Sequence, residues 1–315
     1  LNNTYITSSN FILSYNTSPD YARPITKTTR IRGNITGSKK MVLGTPTYLY
    51  TAIIYNEDGK AIQTKQVNYS GGQDIATTEY DFSGKVLRTQ LHHQESGAGN
   101  QSHDLLTKYT YDHTGRPLTI TKNIDNTADS LISAYTYNEL GQVKQKVVGN
   151  GLATQNYSYN MRGWLTGINK EYVTGTNSPE LYFGEALYYD YGFTNTQVNG
   201  NIAGIKWKST GDDVQRAYGY GYDNTNRLNK ADYAQENLST ETWGNSAMDF
   251  TVSGITYDAN GNILSMKQRG VNINTSVTID SLTYNYFSNS NRLSRVTDAI
   301  SDNTPWGDFK DTTAT

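Results

Sequence analysis

Tyrosine and apolar residues alternate with polar residues along short runs of this chain, and each run ends in a polar turn. Residues 133–137 and 143–147 show this period of two on either side of the turn at residues 138–142. Alternate residues of a strand point to opposite faces of a sheet, so the pattern predicts paired strands whose two faces differ chemically. No segment has the period of a long amphipathic helix. We therefore predict an all-β fold.

The clearest single hairpin lies at residues 109–120. Tyr111 ends an incoming strand of strand-favouring residues, and Asp112 opens the turn. The Asp112 side chain can accept hydrogen bonds from the turn backbone, and Gly115 can take the positive φ that a four- or five-residue hairpin loop needs. The segment predicts two antiparallel strands joined at Gly115.

The same line of residues occurs eight times, which predicts a repeat architecture. In the second half, Asn226 stands where the other copies have glycine and is followed by Arg227, and asparagine also tolerates a left-handed backbone. The copy at Tyr286 has one inserted residue. The motif residues of the other copies are Tyr55, Gly59, Tyr80, Asp81, Gly84, Tyr111, Asp112, Gly115, Tyr137, Gly141, Tyr159, Gly163, Tyr222, Asp223, Asn226, Arg227, Tyr257, Asp258 and Gly261.

The pattern Tyr-Asp-x-x-Gly-Arg-Leu resembles the YD repeat of the RHS (rearrangement hotspot) family, which is related to teneurins and to the C subunits of toxin complexes. The resemblance covers residues 53–298, and residues 161–169, 199–202 and 252–258 are similar in particular to RHS proteins of Bacteroidetes. It implies tandem YD-repeat hairpins joined into a spiralling β-sheet strip, part of a hollow RHS-type shell.

The spacing of the copies divides the chain into five segments. Regular hairpins are expected at residues 51–168 and 218–298, with a degenerate, aromatic-rich repeat between them at 169–217. An irregular β segment precedes them at 1–50, with expected strands at 11–15 and 41–43. A polar tail at 299–315 is expected to lead into a further part of a larger polypeptide.

Composition narrows the possible functions. The 315 residues include 26 tyrosines but only 35% hydrophobic residues, which favours a thin sheet with partly dry faces over a thick core. A net charge of −2 gives no basic surface for nucleic acid, and the absence of cysteine excludes disulfides and thiolate chemistry. No run approaches the length of a membrane helix, so we expect no membrane insertion.

Three groups of residues are candidate binding or modification sites. The densest aromatic patch comprises Tyr182, Tyr188, Tyr189, Tyr191 and Trp207, and it could stack against a glycan or simply pack the sheet. The loop at residues 91–103 carries His92, His93 and His103, but neighbouring residues of a strand face opposite ways, so an exposed loop is preferred over a metal site. Ser130 and Ser281 lie in Asp-Ser-Leu triplets that resemble an O-glycosylation sequence of secreted Bacteroidetes proteins.

No catalytic signature is found, and no cofactor or metal site is predicted. The chain lacks GxSxG and HExxH, and the neighbouring carboxylates Asp212 and Asp213 lie in turn-like sequence. The chain is therefore predicted not to be an enzyme, with a glycosidase kept as the remote alternative.

The resemblance implies a structural shell segment of a secreted or cell-surface protein. Its partner would be the rest of the same polypeptide, including a C-terminal toxin or effector that it encloses or carries. Export would follow a type IX route. The alternative is a surface module for adhesion or glycan binding.

Overall fold

The fold is described from a computed structural model, for residues 25–97, 99–175, 181–272, 275–300 and 309. Apart from one helical turn, its regular elements within these ranges are β-strands. The chain divides into two compact units, residues 1–152 and 153–315. The predicted strand at 11–15 lies outside the described residues.

The first unit is an antiparallel meander in which each strand pairs with the next one in sequence. The predicted strand at 41–43 is wrong, because Met41 ends the first strand and Val42 begins a turn in which its N–H bonds the carbonyl of Thr47. The strands of this unit are β1 (Gly37–Met41), β2 (Tyr48–Tyr55), β3 (Ala61–Val67), β4 (Gln73–Tyr80), β5 (Val86–Gln94), β6 (Ser102–Tyr111), β7 (Pro117–Ile124), β8 (Ser130–Tyr137) and β9 (Val143–Val148).

The second unit continues the same plan, with one helical turn and one branch in the pairing. Its elements are β10 (Ala153–Tyr159), β11 (Leu165–Ile168), α1 (Lys170–Val173), β12 (Phe183–Tyr188), β13 (Gly204–Ser209), β14 (Arg216–Tyr222), β15 (Leu228–Asn237), β16 (Thr242–Gly244), β17 (Val252–Tyr257), β18 (Ile263–Asn272), β19 (Thr275–Tyr286) and β20 (Leu293–Asp298). Strands pair antiparallel in chain order, except that β15 pairs with both β16 and β17.

The prediction of an all-β fold built from tandem YD hairpins is confirmed. Each motif tyrosine ends the incoming strand and, in seven copies, pairs across the hairpin with the residue six places later, as in Tyr111 with Pro117 and Tyr257 with Ile263. In the copy with an inserted residue, Tyr286 pairs with Leu293, seven places later. A register shift directly precedes the tyrosine in all eight copies. Such a bulge bends the strand and increases its local twist.

The buried interior is thin, as expected from the composition. In the first unit Ile62 and Ile75 are buried beside polar Gln63 and Thr77, whose side chains share a hydrogen bond of 2.9 Å. In the second unit small residues form the floor, and Ala186 and Ala203 are both fully buried.

The helical turn α1 was not predicted, since four residues are too short to show a period. It begins after Asn169, whose backbone is left-handed at φ 46°. Tyr172 and Val173 of this turn are buried against Gly184, where an added Cβ would lie 3.1 Å from Val173.

Candidate functional site

The turn of each hairpin is organised by the residue after the tyrosine. We number the motif with the tyrosine as position 1, which places Asp or Asn at position 2, Gly or Asn at position 5, and the first residue of the return strand at position 7. The Oδ1 atom at position 2 accepts the N–H of position 6 at 2.8–3.0 Å in seven copies: Asn56, Asp81, Asp112, Asn138, Asn160, Asp223 and Asp258. In six of these it also accepts the N–H of position 4, at 2.9–3.1 Å.

The residue at position 5 has a left-handed backbone in the seven copies without an inserted residue, and in the copy at Tyr286 the left-handed residue is Asn289, at φ 55°. The glycines have φ of 74° at Gly59, 88° at Gly84, 87° at Gly115, 81° at Gly141, 78° at Gly163 and 87° at Gly261, and Asn226 has φ 64°. The turn therefore needs a residue that tolerates this region, which only glycine and, less well, asparagine do.

Where position 2 is aspartate and position 6 is arginine, the two side chains pair. Arg116 Nε lies 2.6 Å from Asp112 Oδ2, and Arg227 Nε lies 2.7 Å from Asp223 Oδ2. At Asp223 the backbone N–H of Arg227 is the main cause that lowers the carboxyl pKa far below its usual range. At Asp112 desolvation opposes this, but the N–H of Arg116 and the Thr114 hydroxyl outweigh it and the pKa is again strongly lowered. These carboxyls are held ionised as acceptors, which does not suit proton transfer.

The tyrosine hydroxyl at position 1 joins consecutive hairpins within each of the two units. It donates to the carbonyl oxygen at position 7 of the preceding hairpin at 2.6–3.0 Å, and this bond was not predicted from the sequence. The pairs within the motif series are Tyr80 to Ala61, Tyr111 to Val86, Tyr137 to Pro117, Tyr257 to Leu228 and Tyr286 to Ile263.

The hydroxyl bond replaces a rung of the sheet. Between consecutive hairpins the backbone pairing ends early, as at Arg88 with Lys108, so the carbonyl of Val86 lies beyond the last pair. Tyr111 supplies that carbonyl with a donor at 2.7 Å. A buried or half-buried carbonyl without a partner costs free energy, which explains why this position is tyrosine and not phenylalanine.

The hydroxyl series identifies the missing copy in the degenerate region. Tyr189 donates to the Leu165 carbonyl at 2.8 Å, and Tyr222 in turn donates to the Ile202 carbonyl at 2.8 Å. Tyr189 and Ile202 therefore hold positions 1 and 7 of a hairpin whose turn carries an insertion. The sequence indicated a degenerate repeat in this region, and the hydroxyl bonds show that an insertion separates the two ends of its motif.

A further tyrosine hydroxyl bond joins the first recognised copy to the segment that precedes it. Tyr55 donates to the Ile35 carbonyl at 2.8 Å, and Gly33 just before it has φ 86°. Ile35 thus occupies the place of position 7 in a turn that has lost its motif tyrosine. The segment between Gly33 and Ile35 has the same residues as that between Gly261 and Ile263.

The five residues of the predicted aromatic patch do not form one surface. Tyr188 packs edge-on against the ring of Tyr191 at 5.3 Å. Trp207 pairs across the sheet with Glu185, three places before Tyr188, and so lies on the opposite face. There it stacks on Tyr218 at 5.5 Å.

The remaining two residues of that patch are also apart. Tyr189 is buried in its hydroxyl link and lies 5.1 Å from the ring of Trp164. Tyr182 is 49% exposed. A binding surface that uses all five residues is therefore not present.

Gly204 of β13 and Gly219 of β14 leave room for an aromatic ring. Phe193, from the inserted turn, lies on the glycine side of the sheet. A Cβ on Gly204 would be 2.5 Å from Cζ of Phe193, and one on Gly219 would be 3.2 Å from its Cδ1. The insertion therefore folds back over the sheet at Gly204 and Gly219.

Three histidines of the first unit each face a different aspartate. The Nδ1 atoms of His92 and His93 lie 2.9 Å from Asp104 and 2.6 Å from Asp74, on opposite faces of β5. His103 Nδ1 lies 2.8 Å from Asp125, whose pKa is lowered by that hydrogen bond. No three metal-binding side chains converge anywhere in the described ranges.

The other carboxylates and serines singled out in the sequence lie apart from any shared cleft. Asp212 pairs with Arg216, whereas Asp213 lies 3.2 Å from Lys208 Nζ and accepts the Tyr172 hydroxyl at 3.1 Å. Ser130 is exposed at the start of β8, and Ser281 is half-buried within β19.

A cleft of about 410 Å³ lies beside β15 and β16. Trp243 lines it with 39% of its surface exposed. A second cavity of about 220 Å³ lies next to Phe193. No helix among the described residues has the length and apolar character to cross a membrane.

Comparison with known proteins gives matches among solved structures alone. No protein-family model matches this chain, and no curated protein does. The structure of TcdB2-TccC3 without its hypervariable C-terminal region is 14% identical with a TM-score of 0.34, and the match covers 82% of this chain and 15% of that one. Another TcdB2-TccC3 structure is 13% identical with a TM-score of 0.29, covering 76% and 16%.

The Tc holotoxin pore of Photorhabdus luminescens is 12% identical with a TM-score of 0.29, covering 76% of this chain and 15% of that one. This chain thus spans 15–16% of the length of these proteins. The hairpins of this chain form consecutive YD turns in an antiparallel meander, and tyrosine hydroxyls tie neighbouring hairpins together within each unit.

Proposed function

We propose that this chain is a non-catalytic shell segment of a secreted RHS-repeat protein, which encloses or carries a C-terminal toxin or effector. The observation that carries the proposal is the tyrosine series, in which the hydroxyls of Tyr111, Tyr257 and their equivalents donate to a carbonyl that lies beyond the backbone pairing of consecutive hairpins. A sheet whose backbone groups are satisfied laterally can continue as a wall with few segments that a protease can extract.

We also propose that this chain catalyses no reaction. The turn aspartates accept hydrogen bonds from backbone N–H groups, Asp212 forms an ion pair with Arg216, and Asp213 forms one with Lys208. A wall needs no catalytic group, whereas a hydrolase needs acid and base side chains that converge on one cleft.

The proposal is tested by protease protection in the natural polypeptide that contains this chain. The effector should be digested slowly in the wild type and faster after Tyr80, Tyr111 and Tyr257 are each changed to Phe, because the links between hairpins are then lost. Tyr69→Phe is the matched control, since Tyr69 is 82% exposed. Digestion of the effector at the same rate with and without this chain would overturn the proposal.

Glycan binding is the second candidate function, and one observation favours it. The ring of Trp243 is 39% exposed and lines a cleft of about 410 Å³, and stacking on an exposed aromatic ring is a common way to hold a sugar. A glycan array should then give a signal that Trp243→Ala abolishes. No signal on the array, or one insensitive to that change, would remove this candidate.

A further inference from the structure

We infer that consecutive hairpins recognise one another through a matched pair of residues, position 6 of one turn and position 5 of the next, and that the pair occurs in two incompatible classes. In the first class a long side chain meets glycine. In the second class asparagine meets asparagine. The pair selects which hairpin can follow which.

The first class places a long side chain over the next turn, where only glycine leaves space. A Cβ on Gly84 would lie 3.2 Å from Lys60 Cε, and one on Gly115 would lie 2.5 Å from Lys85 Cε. A Cβ on Gly141 would lie 3.0 Å from Arg116 Nη1. The glycine therefore serves the neighbouring hairpin as well as its own turn.

The same long side chains reach the motif tyrosine of the next hairpin. Arg116 lies over the Tyr137 ring at 4.4 Å, and Arg227 lies over the Tyr257 ring at 4.6 Å. Arg227 also donates to the Asp258 carbonyl at 3.0 Å, although Gly261 itself has open space around it. A cation over a tyrosine ring adds an attraction of its own.

The copy with the inserted turn follows this class with a different side chain. Trp164 is at position 6 of the hairpin that begins at Tyr159. Its ring lies 5.1 Å from that of Tyr189, and a Cβ on Gly200 would lie 3.2 Å from its Cζ2. The residue at position 6 of the first class must therefore be long or flat, but it need not be charged.

The second class replaces this contact with an amide clamp. Asn226 Oδ1 accepts the side-chain amides of Asn199 at 2.7 Å and Asn201 at 3.1 Å. In the next such pair, Asn291 Oδ1 accepts those of Asn260 at 3.1 Å and Asn262 at 2.9 Å. In both cases the preceding turn reads Asn-Gly-Asn, with a short residue at position 6.

A pair that takes one residue from each class should stabilise the contact between hairpins less than a matched pair does. A long side chain at position 6 would meet the Cβ of an asparagine at position 5, and a short asparagine beside glycine would leave its amide without the clamp. Seven steps between neighbouring turns within the two units pair in one of these two ways: Lys60 with Gly84, Lys85 with Gly115, Arg116 with Gly141, Trp164 with Gly200, Arg227 with Gly261, Asn201 with Asn226, and Asn262 with Asn291, the residue two places before position 7 of the copy at Tyr286. The step from the turn at Gly33, which has lost its motif tyrosine, is the exception: Asn34 stands at position 6, and the next turn has Gly59 with open space around it.

The test is to convert one class into the other in the full chain and to measure unfolding by denaturant. Asn201→Arg and Asn226→Gly should each lower the folding equilibrium constant. In the double variant, the folding equilibrium constant should be at least about threefold higher than the two single effects multiplied together would give. The reason is that the double variant recreates a matched pair. The reverse conversion, Lys85→Asn with Gly115→Asn, should show the same coupling and guards against one pair failing to fold.

A mismatched combination serves as the control. Asn201→Arg with Gly115→Asn alters two turns that are not consecutive in the chain, and its effects should multiply without coupling. Independent effects in both matched conversions, within about twofold, would overturn the matching rule.

Discussion

The hydroxyl of Tyr257 donates a hydrogen bond of 2.6 Å to the carbonyl oxygen of Leu228, 29 residues earlier in the chain. Leu228 lies outside the pairing of β15 with β17, which is limited to Ala231 with Val252. One side-chain atom thus completes a rung that the backbone leaves open. The same relation recurs along both units, so the repeat encodes the contact between hairpins as well as the hairpin itself.

Removal of that hydroxyl should weaken the fold. We expect Tyr257→Phe and Tyr111→Phe each to lower the free energy of unfolding by about 0.5–1.5 kcal/mol, because the carbonyl loses its donor while the ring remains. Urea denaturation gives the measurement. Tyr69→Phe, at a ring that is 82% exposed, is the control. An equal, negligible effect at all three residues would show that the links do not stabilise the sheet.

The left-handed turn residue should resist a β-branched side chain. Gly261→Val should cost about 1–3 kcal/mol, since valine is forced to φ 87° where the space around the residue is otherwise open. Gly211→Val is the matched control, because Gly211 also has open space and lacks a positive φ. Gly115→Val should cost at least as much, as Lys85 must move too. Similar costs at Gly211 and Gly261 would contradict the turn geometry.

The turn carboxyls should make stability depend on acid pH. The pKa values of Asp112, Asp223 and Asp258 are lowered in the folded state. Their contribution is therefore complete above the ordinary carboxyl pKa of about 3.9 and is lost as the pH falls through the lowered values. Denaturant titrations from about pH 6 down to about pH 2 should show this loss.

Asparagine separates this charge effect from the turn itself. Asn138 and Asn160 already fill the same position with the same backbone bonds. A variant with Asn at Asp112, Asp223 and Asp258 should keep its fold and lose less stability in acid. An unchanged acid profile in that variant would show that the carboxyls elsewhere in the chain control the pH dependence.

The Phe193 ring should stabilise the sheet by packing over Gly204 and Gly219. Phe193→Ala should lower stability by about 1–2 kcal/mol, because a half-buried ring is lost from above Gly204 and Gly219. Gly219→Ala should also destabilise the wild type but much less so when combined with Phe193→Ala, since the ring that meets the new Cβ is gone. Gly244→Ala, in open space, is the control. Additive effects of the first two changes would place Phe193 elsewhere.

The sequence predicted the hairpins because their signals are local. Tyr111, Asp112 and Gly115 lie within one turn, and their roles follow from propensity and backbone geometry. The hydroxyl links were missed because each joins residues some 19 to 29 places apart, such as Tyr80 with Ala61 and Tyr257 with Leu228. A local sequence motif does not show which residue that far along the chain the hydroxyl will contact.

The aromatic patch shows a different limit of sequence reasoning. Tyr188 and Trp207 are both aromatic and close in the chain, but the strand register places them on opposite faces. Register in this region depends on the inserted turn between Tyr189 and Ile202, which periodicity alone does not define. The prediction therefore joined residues that the sheet separates.

Amide hydrogen exchange in wild type and in Tyr257→Phe tests most directly whether tyrosine hydroxyls hold consecutive hairpins together. We expect faster exchange confined to the junction of β15 and β17, around Ala231 and Val252, with the amides inside the hairpin turn at Asp258 unchanged. Unaltered exchange at that junction, or a uniform increase over the whole chain, would contradict it.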